Sequence, residues 1–348
     1  MIALPCIKKA MESMRVAQVA AARGPIEVVE RPLPDPGPGK VRLKVEACGL
    51  CHSDFLTKEG VWPGITYPRI PGHEIAGVVD AVGEGVTNWT KGQRVGVGWA
   101  GGHCTVCHPC RRGDFAACQK LQIPGILYDG GYAEYMVTSA QGLAAIPDAI
   151  SFAEAAPLLC AGITVFNALR HSGAMPGDLV AIQGLGGLGH LGIQYANKMG
   201  FETVAIGRGE DKKDFATKLG AHHYIDTNAQ NASEALQKRD GAKTILATAP
   251  DSKSMTPLVT GLGVDGTLMV VGVGFEAMEV FPMQIVGARR SVRGWPSGTA
   301  TDSEDAMRLA ALSGIRPLIE IFSLAEAAAA YDRMTSGKAR FRVVLKMS

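Results

Sequence analysis

Leu179-Val180-Ala181-Ile182-Gln183-Gly184-Leu185-Gly186-Gly187-Leu188-Gly189 is the stretch on which the fold turns. Its apolar, partly β-branched start suits a buried strand, and the glycines at 184, 186 and 189 form G-x-G-x-x-G. A helical pattern follows through His190–Met199, completing strand, turn and helix. In that setting the glycines permit a tight turn and let a pyrophosphate approach a helix N-terminus. Gly184, Gly186, Gly187, Leu188 and Gly189 are therefore candidate cofactor-binding residues.

Downstream, the runs ETVAIGRG, HHYID, KTILATA and TLMVVGVG alternate with the helical patterns DKKDFATKLG and NASEALQK. Strand alternating with helix predicts βαβ units and a doubly wound parallel sheet, so the expected fold class is α/β. Upstream, from Met14 to about Ser151, short β-branched runs such as VRLKVEA and IAGVVDAV are separated by Pro32-Leu33-Pro34-Asp35-Pro36 and Gly83-Glu84-Gly85. That texture predicts a β-rich domain of barrel type. After about Val292 the pattern is mixed and ends in the strand-like FRVVLK. The segment before Met14 reads as an extension without a usable motif.

Composition narrows the function classes. The chain has 348 residues, 47% hydrophobic and 20% charged, with 35 Lys+Arg against 33 Asp+Glu. No Lys/Arg cluster stands out, which argues against nucleic acid as a partner. The longest uncharged run, Ala155–Leu169, is interrupted by Pro157, Gly162 and Asn167, and no window reads as a run of roughly 18 consecutive apolar residues. Lysines follow the first short apolar stretch, which is not a secretory pattern. A cytoplasmic protein is expected, with no membrane partner.

Cys104-x2-Cys107-x2-Cys110-x7-Cys118 gathers four of the eight cysteines. Four thiolates at this spacing can enclose one Zn2+ tetrahedrally, closed to solvent and structural in role. Cofactor choice is read about 20 residues beyond the glycine turn, where an acid would bind the 2′-OH of NAD. Gly207 stands there, followed by Arg208, whose guanidinium suits a 2′-phosphate, so NADP(H) is expected over NAD(H). A third constellation is scattered: Cys51-His52-Ser53-Asp54, Gly72-His73-Glu74 and Cys160. Cys, His and Cys with one open position are a catalytic zinc arrangement. By the residues alone, Cys160 also reads as apolar core and Cys48-x2-Cys51 as a redox pair.

With these motifs in this order, the chain resembles the zinc-dependent medium-chain alcohol dehydrogenases, of the yeast and bacterial type, from about Met14 to Lys346. The resemblance implies a GroES-like catalytic domain over residues 1–153, a Rossmann NAD(P)-binding domain over 154–292 and a return to the catalytic domain over 293–348. It implies two zinc ions, one in the four-cysteine cage and one on Cys51, His73 and Cys160. By the same similarity Glu74 is an acidic neighbour able to move onto the metal, Asp54 orients His73, and Ser53 accepts the substrate proton. Leu56 stands where many relatives carry a histidine that passes this proton on, which leaves His52 or the cofactor ribose as the route. Thr164, Leu188, Val271 and Val273 correspond to residues packing the nicotinamide, and Arg342 to a pyrophosphate-binding arginine. Trp62 and Trp99 match aromatics that narrow the substrate pocket. The expected activity is hydride transfer between small or medium primary alcohols, or their aldehydes, and NAD(P), by a homo-oligomer, tetramer over dimer. A cinnamyl- or polyol-type dehydrogenase on the same scaffold and a non-catalytic nucleotide-binding protein are the alternatives.

Overall fold

The structure, a computed structural model, describes residues 12–347. Glu12 and Ser13 already join the fold, since the Glu12 carbonyl accepts from Leu33 N and Ser13 pairs with Pro32. The remainder of the expected N-terminal extension lies outside the described residues.

Strands β1 (Ser13–Val19) and β2 (Ile26–Pro32) pair antiparallel. The first lobe is centred on β3 (Lys40–Gly49), with β4 (Glu74–Val82), β5 (Arg94–Val97), β6 (Tyr135–Ser139) and β7 (Ala144–Ala145). Both edges of β3 are used: β4 runs along one, while β6 takes the first part of the other.

The second lobe is a six-stranded parallel sheet of β8 (Leu179–Gln183), β9 (Glu202–Gly207), β10 (His223–Asp226), β11 (Ala242–Ala247), β12 (Leu262–Val270) and β13 (Ser291–Gly294). Its spatial order is β10-β9-β8-β11-β12-β13. Counted from β8 this is 3-2-1-4-5-6, the doubly wound order whose crevice opens at the strand C-termini where the order reverses, beside β8. β14 (Ile319–Ser323) and β15 (Arg342–Lys346) then return to the first sheet, β15 running antiparallel to the end of β3.

Both expected domain boundaries fall inside elements. β13 straddles 292/293 and hydrogen-bonds to β12, so the chain leaves the second sheet only after Gly294. The 153/154 boundary cuts a helical stretch, Phe152–Arg170, that serves both lobes: its first turns touch β3 and β4, its last turns the helix Gly189–Lys198. Ala47 and Ala76 of the first sheet accordingly share one buried cluster with Leu158, Leu159, Val180 and Leu191.

That stretch contains the longest uncharged run of the sequence, Ala155–Leu169. Pro157, Gly162 and Asn167 do not end it; at 19 residues, with a mean hydropathy of 1.5 over an 18-residue window, it is long and apolar enough to span a membrane. Its apolar character serves the core instead, 78% of the window being buried within the fold. The start is fixed by a capping box, with the Ser151 hydroxyl donating to Glu154 Oε2 at 2.6 Å and accepting from Glu154 N at 3.3 Å. Pro157 cannot donate to the helical ladder, and directly after it Leu158–Gly162 form a π-helical turn that carries Cys160.

Candidate active site and metal centres

The three scattered ligand candidates converge. Cys51 follows β3, His73 precedes β4 and Cys160 projects from the π turn of the bridging helix. One donor atom each from Cys51, His73, Glu74 and Cys160 lies within 4.8 Å of all the others, and the two sulfurs are 3.9 Å apart. This sulfur pair brings the Cys51 thiol well below its ordinary range. Cys48, the other member of the possible redox pair, is sealed in the core, where burial drives its thiol upward.

His73 is fully buried, and its Nδ1 lies 3.2 Å from Asp54 Oδ1. Neither ring nitrogen makes a hydrogen bond within the protein, the Asp54 oxygen being near Nδ1 without bonding geometry. A buried imidazole nitrogen left unpaired beside two thiols is costly as it stands and satisfied by a metal ion. The donor set thus fits zinc: two sulfurs and one nitrogen, with a Glu74 carboxylate oxygen within the same 4.8 Å. Burial pushes Glu74 up to about 8 even though its Oε1 is bonded to the Arg342 guanidinium, and its Oε2 remains unpaired.

The sequence placed Arg342 on the cofactor pyrophosphate. The structure buries it and commits one nitrogen, Nη2, to Glu74 and to the Leu50 carbonyl at 2.9 Å. Its Nη1 lies against the glycine turn, where a Cβ at Gly187 would come within 2.8 Å of it. Arg342 therefore lies between Glu74 and the glycine turn, a placement its sequence context does not reveal.

The glycine turn is built as its spacing predicts. Gly184 has φ +94°, a Cβ at Gly189 would lie 1.8 Å from the Gly184 carbonyl oxygen, and Gly186 faces open space. Those are the requirements for a tight turn, close helix packing and unobstructed approach of a phosphate. Leu188 leads into the helix Gly189–Lys198, Thr164 is buried on the bridging helix, and Val271 is buried after β12. Val273 is instead largely exposed.

At the tip of β9, Gly207 is half-buried and Arg208 exposed, with no ion pair or hydrogen bond from its side chain among the described residues. The space beside Gly207 is already filled: a Cβ there would lie 2.8 Å from Tyr224 Oη and 2.9 Å from Leu185 Cδ1. Tyr224 Oη donates to the Gly209 carbonyl and Asp226 Oδ1 accepts from Gly209 N, so the turn is held from β10.

Trp99 stands edge-on to His73, with ring centroids 5.1 Å apart, and Trp62 packs on Trp99 at 6.0 Å. Of the two expected pocket aromatics, Trp99 thus contacts His73 and Trp62 contacts Trp99. Sequence reading missed Phe275, which reaches across from the loop after β12 to Phe55 at 6.1 Å although it is otherwise 82% exposed. Ser53 and the exposed His52 share the 3-10 turn that follows Cys51, and Leu56 is half-buried in the next turn.

The second cysteine set also converges. Cys104, Cys107, Cys110 and Cys118 bring their sulfurs within 4.8 Å of one another. The Cys118 sulfur accepts from Cys104 N at 3.3 Å and Lys120 N at 3.4 Å. Backbone N–H groups of Cys110 and Gln119 hold the Cys107 thiol down at about 6, whereas burial pushes the Cys110 thiol up to about 12. None of the seven described cysteines forms a disulfide.

Residues 37–148 match the alcohol dehydrogenase GroES-like domain family, and residues 187–312 match the zinc-binding dehydrogenase family. Alcohol dehydrogenase patD of Penicillium expansum is 49% identical over 308 residues, 88% of this chain and 90% of that protein. An alcohol dehydrogenase of Geobacillus stearothermophilus is 35% identical over 336 residues, 96% of this chain and 100% of that one. The crystal structure of CAD from Helicobacter pylori complexed with NADP(H) superposes with a TM-score of 0.84 at 27% identity, covering 97% of this chain and 99% of that one.

Proposed function

The chain belongs to the zinc-type medium-chain alcohol dehydrogenase family, and from that premise we propose that it oxidises small or medium primary alcohols, and reduces their aldehydes, with NADP(H) preferred over NAD(H). The observation that carries this reading is the buried His73 imidazole, neither of whose nitrogens is hydrogen-bonded, with one nitrogen within 4.8 Å of the Cys51 and Cys160 sulfurs and Trp99 edge-on to the ring. Cys51, His73 and Cys160 hold one zinc, and Cys104, Cys107, Cys110 and Cys118 a second. When bound, the first zinc supplies a Lewis acid for the substrate oxygen, and the nicotinamide supplies the hydride acceptor.

The chain's own residues do the rest. Asp54 holds the His73 ring by its Nδ1 side, leaving Nε2 for the metal. Ser53 accepts the hydroxyl proton, and His52, exposed on the same turn, passes it to solvent where Leu56 cannot. Gly184, Gly186 and Gly189 open the phosphate site, with Arg342 at its edge. Thr164, Leu188, Val271 and Val273 line the nicotinamide side, and Arg208 presents a fixed charge to a 2′-phosphate.

Replacing Trp99 with Ala should admit bulkier alcohols and shift kcat/KM ratios between large and small substrates by about 10- to 200-fold, the range for one apolar contact in a pocket. A folded variant with unchanged ratios would assign Trp99 to packing alone.

Cofactor choice has its own test. Arg208→Ser should lower kcat/KM with NADP by roughly 10-fold, the low end for a charge-assisted contact because the side chain is exposed. The NAD value should change little. Adding Gly207→Asp would complete the switch only with Tyr224 also changed, because the Tyr224 hydroxyl occupies the space the new side chain needs. Steady-state kinetics with both cofactors over a panel of aliphatic, aryl and polyol substrates decide the matter, and a wild-type preference for NAD would overturn the NADP reading.

Thiolate ligation of zinc needs reduced cysteines, which supports a cytoplasmic location. Assembly is supported by β13, exposed along its length at the sheet edge, and by exposed Val264, Phe281, Met283 and Val286 nearby in sequence. We take the assembly to be a tetramer rather than a dimer.

A further inference from the structure

Tyr132 lies far along the chain from Asp54 and is completely buried, at 0% exposure. Its hydroxyl donates to Asp54 Oδ2 at 2.8 Å. The same oxygen accepts from the Cys51 backbone N at 2.9 Å, and the other carboxylate oxygen lies 3.2 Å from His73 Nδ1. Asp54, itself only 3% exposed, is thus held on one side by a phenol and the Cys51 backbone, and on the other faces the imidazole at 3.2 Å.

The space for the phenol ring is provided by the residue next to His73. A Cβ on Gly72 would lie 2.5 and 2.7 Å from Tyr132 Cδ1 and Cε1, and Gly72 has φ +99°, a conformation other residues rarely adopt. The ring is anchored further because Tyr132 N donates to Pro71 O, the carbonyl that immediately precedes Gly72. Tyr132 therefore packs against the segment bearing one ligand and bonds to the carboxylate that orients it. Burial among these groups keeps its hydroxyl protonated, so toward Asp54 it acts as a donor.

We propose that Tyr132 is a positioning residue for the Cys51/His73/Cys160 metal site, locking the Asp54 carboxylate in the rotamer that presents His73 Nε2 to the ion. The inference rests on the reading that this triad binds zinc. Carboxylates that hold a ligating imidazole govern metal affinity by roughly 10- to 100-fold. Loosening that carboxylate should act through the same linkage at the lower end of the range.

The test is Tyr132→Phe, which keeps the ring, in the full-length zinc-loaded chain. Zinc release to a chelator is measured at both sites, and the visible spectrum is recorded after Co2+ replaces zinc at the triad. The expected result is about 10-fold weaker retention of the triad metal, an altered Co2+ spectrum and unchanged retention by the four-cysteine site. That site serves as the internal control, since general destabilisation would weaken both. Wild-type retention and spectrum in the Phe variant, or equal loss at both sites, would overturn the positioning role while leaving the zinc reading intact. If Tyr132→Phe folds poorly, Asp54→Asn is measured alongside it, and a Co2+ spectrum unaltered by Asp54→Asn would also overturn the proposal. A wild-type chain that retains metal only at the four-cysteine site would overturn both.

Discussion

Cys160→Ala should lower kcat/KM toward alcohols by at least about a thousand-fold while the chain stays folded. Losing a Lewis acid removes several kcal/mol of transition-state stabilisation, and about 4 kcal/mol corresponds to a thousand-fold. The fold should tolerate the change because alanine suits a helical backbone and Cys160 is only partly buried on its π turn. Its neighbours Leu158, Leu159 and Ala161 carry the packing there. Kinetics together with circular dichroism check this. A folded variant keeping more than about a tenth of the activity would remove Cys160 from the ligand set.

Cys110→Ala should act in the opposite way, on stability first. Between His103 and Lys120 the only buried residues are Cys110 and Cys118, and none of the hydrophobic clusters includes a residue from this segment. Regular structure there is limited to the short helix His108–Arg111. A loop without an apolar core has little besides a metal to order it. Loss of one thiolate should therefore release one zinc, expose the segment to proteolysis and lower Tm by something on the order of 10 °C. A variant with wild-type Tm and zinc content would show that the four thiols are not a structural site.

What the sequence made legible follows from how local each feature is. The strand, glycine turn and helix at 179–199 are contiguous, so periodicity and glycine spacing suffice, and a parallel sheet follows from βαβ alternation, whereas its strand order is visible only in the structure. The four-cysteine loop is local in the same sense. The other candidate ligand set spans three segments, and its residues alone left Cys160 divided between core and metal; the family resemblance grouped them, and the structure brings their donor atoms within 4.8 Å of one another. Long-range contacts left no trace. The Tyr132 hydroxyl on Asp54, the Arg342 guanidinium between Glu74 and the glycine turn, and the Phe55–Phe275 contact across the lobes join residues with no spacing rule between them. Phe152–Arg170 runs on as one helical stretch because packing between two cores overrides the helix-breaking propensity of Pro157 and Gly162.

The account stands most directly on the zinc content of the purified, active chain. Elemental analysis should return two zinc ions per chain in the unaltered protein. Cys160→Ala should return one, still held by the four-cysteine site. A fully active wild-type preparation with one zinc or none would contradict the account, because its catalytic triad would then be working without the ion that its unpaired imidazole and paired thiols are arranged to hold.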